Sequence, residues 1–367
     1  MKVLHLSDLH LGKRLNDVSL AEDQEHILRE ILRAIDEEAV DVVLLCGDIY
    51  DRSAPDAASV AMFDGFLTSL AERGVPCLII GGNHDSHVRL NYASSFLKRA
   101  NITVAPAYDG ETLSVEIGGV CFHLLPHVQP ELVEGAQSTA EAVAHIIEEM
   151  PVDPETCNVI LSHQFVAGGI SSDSERKSIV GTLENVPSDI YRTFDYVALG
   201  HLHKPQPVGR ADGTMRYCGS PLKYSKSEAY TDKTLSVVEL RGKGDIEVRE
   251  IPLKPLRDVR VLRGKFDEII QEDTGDDYVY VVLTDEMDIP NAAARIRERI
   301  KNALEFEYDN SRTRAQDKPI EAPDEIAGTS VMKLFEKLYE QTNHTPLTED
   351  ARAYLQKTID ETEALEA

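Results

Sequence analysis

The sequence predicts an α/β protein on three grounds: apolar runs alternate with amphipathic stretches over residues 1 to about 225, metal-capable side chains stand just past several of those runs, and the composition supports a large core. The rhythm begins with Val3 to Leu6, continues through a helical stretch marked by Ile27, Ile31 and Ile35, and returns to an apolar run at Val42 to Cys46. A helix is predicted between Ala57 and Arg73. Strands follow at Cys77 to Ile80, Val120 to Leu125, Val159 to Leu161 and Tyr196 to Leu199. Two later strands, Leu235 to Leu240 and Ile246 to Ile251, read as an antiparallel pair turned by Gly242-Lys243-Gly244 and are expected to complete a second sheet.

After Pro252 and Pro255 the pattern restarts as a small α+β unit, with strands near Val259 to Leu262 and Tyr278 to Leu283. A helix from about Pro290 to Leu304 follows, its proline suited to a first turn. Residues 309 to about 329 carry two prolines and no periodicity, the mark of a linker. Val331, Leu334, Phe335, Leu338 and Tyr339 then recur at helical spacing, and Thr348 is placed to cap another helix. The expected organisation is a main domain over 1–254, a small unit over 255–308, a linker over 309–329 and C-terminal helices over 330–367.

Apolar residues make up 42% of the 367 and charged residues 28%, which excludes a disordered chain. The N-terminus lacks the basic and apolar regions of a signal peptide, and no apolar run approaches the roughly 18 residues of a membrane span. Five cysteines, Cys46, Cys77, Cys121, Cys157 and Cys218, are scattered and read as reduced core thiols of a cytoplasmic protein. The net charge of −26 opposes duplex DNA binding, which draws on Lys and Arg. It leaves two options: a small phosphoester substrate, or DNA held by a local basic patch, metals and a partner.

Five segments repeat one arrangement, in which an apolar run ends, a small residue turns the chain and a metal-capable residue follows. They are Asp8-Leu9-His10, Gly47-Asp48, Gly82-Asn83-His84-Asp85, Ser162-His163 and Gly200-His201-Leu202-His203. In α/β sheets ligand sites lie beyond the carboxyl ends of the strands, so such segments can converge on one crevice. The donors are nitrogen and oxygen with no thiolate, which suits manganese, iron or zinc better than an all-oxygen cage. Asp8, His10, Asp48, Asn83, His163, His201 and His203 are too many for one open ion, and Asp48 is the natural bridge between two. The chemistry predicted is two-metal phosphoester hydrolysis. His5, His26, His87, His123, His127, His145 and His344 stand in no such segment and receive no role.

These motifs resemble those of the calcineurin-like metallophosphoesterases: Asp-x-His, Gly-Asp-x-x-Asp, Gly-Asn-His-Asp, His and Gly-His-x-His. Ser7-Asp8-Leu9-His10-Leu11-Gly12, Glu22-Asp23-Gln24, Gly82-Asn83-His84-Asp85-Ser86 and Tyr217-Cys218-Gly219-Ser220-Pro221 are similar to the SbcD family of bacterial nuclease subunits, and the likeness runs over essentially the whole chain. The resemblance implies a four-layer α/β/β/α sandwich with a small α+β capping domain and C-terminal helices. It also implies two Mn2+ ions, one on Asp8, His10, Asp48 and His203, the other on Asp48, Asn83, His163 and His201. By the same resemblance His84 faces the scissile phosphate and Asp85 orients its ring. The implied partners are DNA and an SbcC-type coiled-coil ATPase gripped by the C-terminal helices, with a homodimer inside a heterotetramer.

The implied activity is DNA cleavage in repair and recombination, as a 3′–5′ double-strand exonuclease and a single-strand and hairpin endonuclease. Asp51-Arg52-Ser53 departs from relatives that carry a histidine near this point. Arg52 there is either a phosphate contact or an exposed loop residue. Arg295, Arg297, Arg299 and Lys301 are either a DNA contact of the cap or a solvated helix face. The rival readings are a phosphatase or cyclic-nucleotide phosphodiesterase, and a non-catalytic scaffold; the complete donor set and His84 argue against the last.

Overall fold

The structure is a computed structural model describing residues 1–175, 185–316, 332–336, 339 and 346–366. Its central strands bury both faces, and the two faces go to different places. Val42, Leu44 and Cys46 enter one apolar cluster while Val43 and Leu45 enter another, because successive side chains leave a strand on opposite sides. In the same way Leu78 and Ile80 part from Cys77 and Ile79. Val159, Leu161, Tyr196 and Ala198 join the cluster of Val42, whereas Ile160, Val197 and Leu199 join a third. Two sheets therefore share one core between them.

Helices cover the outer faces. Ala21–Glu38 and Ala57–Arg73 lay Ile31, Ile35, Phe63 and Phe66 on the first sheet, and Thr139–Glu149 lays Val143 and Ile146 on the second. This is the four-layer α/β/β/α sandwich. Ala57–Arg73 starts where Asp56 accepts a 2.7 Å hydrogen bond from the Ser59 amide, and ends at Gly74 in the left-handed region.

Six strands form each sheet. In the first, Lys2–Leu6, Val42–Cys46, Cys77–Ile80 and Ile102–Ala105 run parallel, which points their carboxyl ends one way. In the second, Val120–Leu125, Cys157–His163, Tyr196–Gly200 and Met215–Tyr217 do the same, flanked by antiparallel Leu113–Ile117 and Gln206–Pro207. The late pair corrects the expectation. Thr234–Gly242 and Asp245–Pro252 are antiparallel as read, but they extend the first sheet by pairing Val238 with Val3. Periodicity marks a hairpin without saying which open edge it fills.

His5 ties the sheets together. Its Nδ1 lies 2.9 Å from the Tyr196 hydroxyl, and its Nε2 donates to the Leu199 carbonyl at 3.2 Å. All five cysteines are free, and four of them are buried. No helix among the described residues is long and apolar enough to cross a membrane.

The chain divides into one unit of residues 1–262, 273–281 and 300–305 and another of 263–272, 282–299 and 306–367. A third sheet has the order Val259–Gly264, Tyr278–Leu283, Ala303–Tyr308. The helix expected from Pro290 to Leu304 is shorter, Ala292–Arg299, since the alternating Ala-Leu-Glu-Phe-Glu-Tyr beyond it forms a strand. In the second unit Arg295 sits 4.2 Å over the Phe266 ring and Arg297 4.7 Å over Phe306, so both have partners within the chain. The expected linker opens with a helix, Ser311–Gln316, because Asn310 Oδ1 accepts from the amides of Arg312 and Thr313. Most of that linker, with Val331 and Leu338 of the predicted stripe, lies outside the described residues. Thr348 does cap a helix, Glu349–Glu366, accepting from the Ala351 amide at 3.3 Å.

Burial, with the Arg216 charge behind it, lowers the His5 pKa from 6.5 to about 3, against the Leu199 hydrogen bond. The unfolded chain therefore binds a proton below pH 6.5 that the folded chain refuses. The resulting stability is whole above that pH and is lost as pH falls toward 3, by about 1.4 kcal/mol per unit. Urea unfolding of the wild type and His5→Gln between pH 7 and 4.5 should show a shallower acid loss in the variant. Equal slopes would refute this account.

Candidate metal centre

Five parallel strands deliver the predicted donors. Asp8 and His10 follow Lys2–Leu6, Asp48 follows Val42–Cys46, Asn83 follows Cys77–Ile80, His163 ends Cys157–His163, and His201 and His203 follow Tyr196–Gly200. The chain must bend sharply to hold them. Asp8, His10, Asp48 and His201 all adopt positive φ, at 53°, 43°, 51° and 100°. For residues with a Cβ this costs about 1–3 kcal/mol each and persists where surrounding structure enforces it. The Asp8 amide donates to the Gly47 carbonyl and the His10 amide to that of Asp48, both at 3.0 Å, so the first two loops brace each other.

The glycines before the donors are steric necessities. A Cβ on Gly82 would enter the Asp48 carboxylate and amide, and one on Gly200 would enter the Cys46 carbonyl.

Two donor sets overlap on Asp48. On one side His10 Nε2 and His203 Nε2 lie 3.1 Å apart, and His10 Nε2 is 3.6 Å from Asp48 Oδ2. On the other, Asn83 Oδ1 lies 3.1 Å from both His163 Nε2 and His201 Nδ1, and His163 Nε2 is 3.4 Å from Asp48 Oδ2. Ligand atoms of Asp8, His10 and His203 approach within 4.8 Å of one another, as do those of Asp8, Asp48 and His163. All but Asn83 are buried.

Burial alone would raise the Asp48 carboxyl, but the imidazoles of His163, His10 and His84 hold it well below the usual range. Burial is likewise outweighed at His163, where Asp48 and Asp8 raise the ring to about 9. Burial lowers His10 and His201. The Cys46 carbonyl accepts from His163 Nδ1 at 2.7 Å, which commits that nitrogen and leaves Nε2 facing Asp48 and Asn83. Facing lone-pair nitrogens beside a buried carboxylate fit divalent cations, and the nitrogen and oxygen donors suit first-row metals.

His84 stands at the rim. Its amide donates to Asp48 Oδ1 at 2.9 Å, its Nδ1 donates to the Asp51 carbonyl at 2.9 Å, and its ring packs edge-on to His10 at 4.8 Å. Asp85 does not orient that ring as expected. Its oxygens are taken by the amides of Gly82, Ile49 and Tyr50, at 3.0, 3.2 and 3.1 Å, and so pin two donor loops together. Burial and Asp48 raise its carboxyl to about 6 against those three amides.

His84 borders a cleft of about 530 Å³ lined by Lys13, Arg14, Arg52, Lys226 and Tyr280. A second cleft, of about 610 Å³, lies past His201 against His127, Gln164 and Phe165. Arg52 is 76% exposed, with its Nε 3.7 Å from Asp51. Sequence reading missed the residues that brace the centre. Gln24 donates to the carbonyls of Leu9 and His10 and accepts from the Gly12 amide at 2.9 Å; its only signal was membership of Glu22-Asp23-Gln24. Tyr224 donates to the Leu9 carbonyl at 2.5 Å and had no signal at all.

Residues 1–205 match the calcineurin-like phosphoesterase family, and residues 255–343 match the family described as type 5 capsule protein repressor C-terminal domain. The chain is 32% identical over 317 residues to the SbcD subunit of the SbcCD nuclease of Staphylococcus epidermidis, covering 83% of this chain and 84% of that one. It is 35% identical over 282 residues to the corresponding protein of Staphylococcus saprophyticus, covering 74% of each. A solved dimetal phosphatase from Danio rerio is similar at 12% identity and a TM-score of 0.42, over 69% of this chain and 99% of that one.

With its donor cage seated at the strand ends of a paired-sheet sandwich, the molecule is a metallophosphoesterase. It belongs to the calcineurin-like phosphoesterase family, and within it to the SbcD family of SbcCD nuclease subunits.

Gly82→Ala should lower the unfolding free energy by about 1–3 kcal/mol, because the added methyl would press on the Asp48 carboxylate and amide. Urea denaturation at constant m-value measures this, and an unchanged midpoint would contradict the close approach.

Proposed function

We propose that this chain is the nuclease subunit of a DNA-processing complex. In this reading it hydrolyses phosphodiesters as a 3′–5′ exonuclease on double strands and an endonuclease on single strands and hairpins. It works with an SbcC-type ATPase in repair and recombination. The observation that carries the reading is Asp48 shared between two donor sets, with His84 on the wall of a cleft where Lys13, Arg14, Arg52 and Lys226 stand among Asp51, Asp173 and Glu305. In a chain of net charge −26, that cleft is where a phosphate backbone finds Lys13, Arg14, Arg52 and Lys226 together.

Asp8, His10, Asp48 and His203 would hold one cation, and Asp48, Asn83, His163 and His201 the other. Two divalent cations, Mn2+ in this reading, supply Lewis acidity at the attacking and departing oxygens of an in-line displacement. With Nδ1 committed to the Asp51 carbonyl, His84 uses Nε2 toward the substrate, stabilising charge on the scissile phosphate and delivering a proton to the leaving oxygen. Asp85 is a positioning residue that keeps the Asp48 and Asn83 loops in register.

Residues 255–308 would act as a cap near bound DNA, 309–329 as a linker and 330–367 as the helices that dock the ATPase. A second copy of the chain is the proposed partner of the exposed apolar residues Val88, Tyr92 and Phe96, on and between the short helices His87–Leu90 and Ser94–Leu97, which are 83%, 82% and 71% exposed.

His84→Ala should reduce release of fragments from an end-labelled hairpin in Mn2+ by about 10²–10⁴-fold while bound manganese stays unchanged. Undiminished cleavage, or a wild type that hydrolyses a phosphopeptide and no DNA, would overturn the proposal. The double variant Tyr92→Glu, Phe96→Glu should shift the light-scattering mass of the isolated protein from dimer to monomer. A mass equal to the wild type's would remove these residues from the interface.

A further inference from the structure

Two buried carboxylates that no sequence motif announced, Glu175 with Oε1 accepting from the His203 amide and 3.7 Å from the ring, and Glu228, back the outer side of His203. His203 Nδ1 lies 2.8 Å from Ser174 Oγ, and Ser174 donates to Glu228 Oε1 at 2.6 Å. Glu228 is 1% exposed, and its Oε1 is itself 3.5 Å from His203 Nδ1. Its other oxygen accepts from Lys233 Nζ at 2.6 Å, and the same ammonium donates to the His203 carbonyl at 2.7 Å and to Ser220 at 2.8 Å. Lys233 therefore fixes the backbone of His203 and the carboxylate behind its ring at once.

The other histidines of the centre are held differently. His163 rests on a neutral carbonyl, that of Cys46. His10 Nδ1 and His201 Nε2 are buried with no hydrogen-bond partner among the described residues, the nearest carboxylate to His10 Nδ1 being Asp51 at 3.7 Å. Among the described residues, only the set of Asp8, His10, Asp48 and His203 thus contains an imidazole whose outer nitrogen is tied through hydrogen bonds to an anion. Such backing fixes the tautomer, with the hydrogen on Nδ1 and the lone pair of Nε2 inward, and makes the ring a stronger donor.

We infer that Glu228, acting through Ser174 and held by Lys233, is a positioning residue for His203 that makes the Asp8–His10–Asp48–His203 site the tighter of the two cation sites. The inference rests on the two-cation reading above. Ser174 also borders the cleft beside His84, so the relay runs from the deep core to the rim of the substrate path.

The test is a titration of the full chain with Mn2+, following free Mn2+ by its EPR signal, for the wild type, Glu228→Gln and Ser174→Ala. The wild type should bind two ions with distinct affinities. In Glu228→Gln the tighter site should weaken by about 10–100-fold while the weaker site stays within a factor of about two. Ser174→Ala, which leaves the Lys233–Glu228 ion pair in place, should weaken the same site by a smaller factor at an unchanged melting temperature, and it decides the matter if Glu228→Gln does not fold. Two ions bound equally well by wild type and variants would overturn this inference and spare the metal centre. Loss of both sites together with a lowered melting temperature would also overturn it, as general destabilisation. A wild type that binds no Mn2+ would overturn both this inference and the two-cation reading.

Discussion

A buried carboxylate, Asp48, is the constraint around which the molecule is arranged. It sits at positive φ between two sheets, within 3.6 Å of His10 and 3.4 Å of His163, and takes the His84 amide on its other oxygen. An anion this deep is tolerated only where positive charge and hydrogen bonds surround it. The surrounding chain meets that demand by bending several donors into left-handed conformations and by keeping side chains off Gly82 and Gly200. The strain is local, and the hydrophobic sandwich beneath each loop opposes its release.

Bracing around this carboxylate is unequal. The loop of Asp8 and His10 is clamped by Gln24 and Tyr224 through backbone carbonyls, and the loops of Asp48 and Asn83 are riveted by Asp85 through backbone amides. Each clamp reads the main chain, so each fixes where a donor starts rather than where its tip points. Tips are set by a second group of contacts, the Cys46 carbonyl behind His163 and the Ser174–Glu228 pair behind His203. Placement and orientation are thus separate tasks met by separate residues.

The strongly acidic chain and the Lys and Arg side chains of the cleft are compatible for an electrostatic reason. Acidic groups far from the site are largely screened at physiological ionic strength, while charges within a cleft act at short range. Arg257 illustrates the distribution: its guanidinium is spent on Asp23 at 2.9 Å and on Glu22, leaving nothing for a ligand. Lys13, Arg14 and Arg52 are grouped beside His84, with Lys13 held 2.7 Å from Asp51.

The sequence by itself marked most of the sandwich strands, the helix over Ala57–Arg73 and the position of each candidate donor, because strand alternation and the turn residues before Asp48, Asn83 and His201 are local properties of the chain; Ile102–Ala105, Leu113–Ile117, Gln206–Pro207 and Met215–Tyr217 went unread. Tertiary structure alone decided the rest. That Thr234–Gly242 pairs with the N-terminal strand is a choice between sheet edges, and no periodicity encodes it. Asp85 was expected to serve His84, its neighbour in sequence, but it binds amides at Ile49 and Tyr50, which the fold brings to it from another strand end. Glu228 and Lys233 look like ordinary surface residues until their segment packs behind His203. The division follows from range: a donor is written in its own strand and turn, whereas what holds that donor still comes from residues far along the chain.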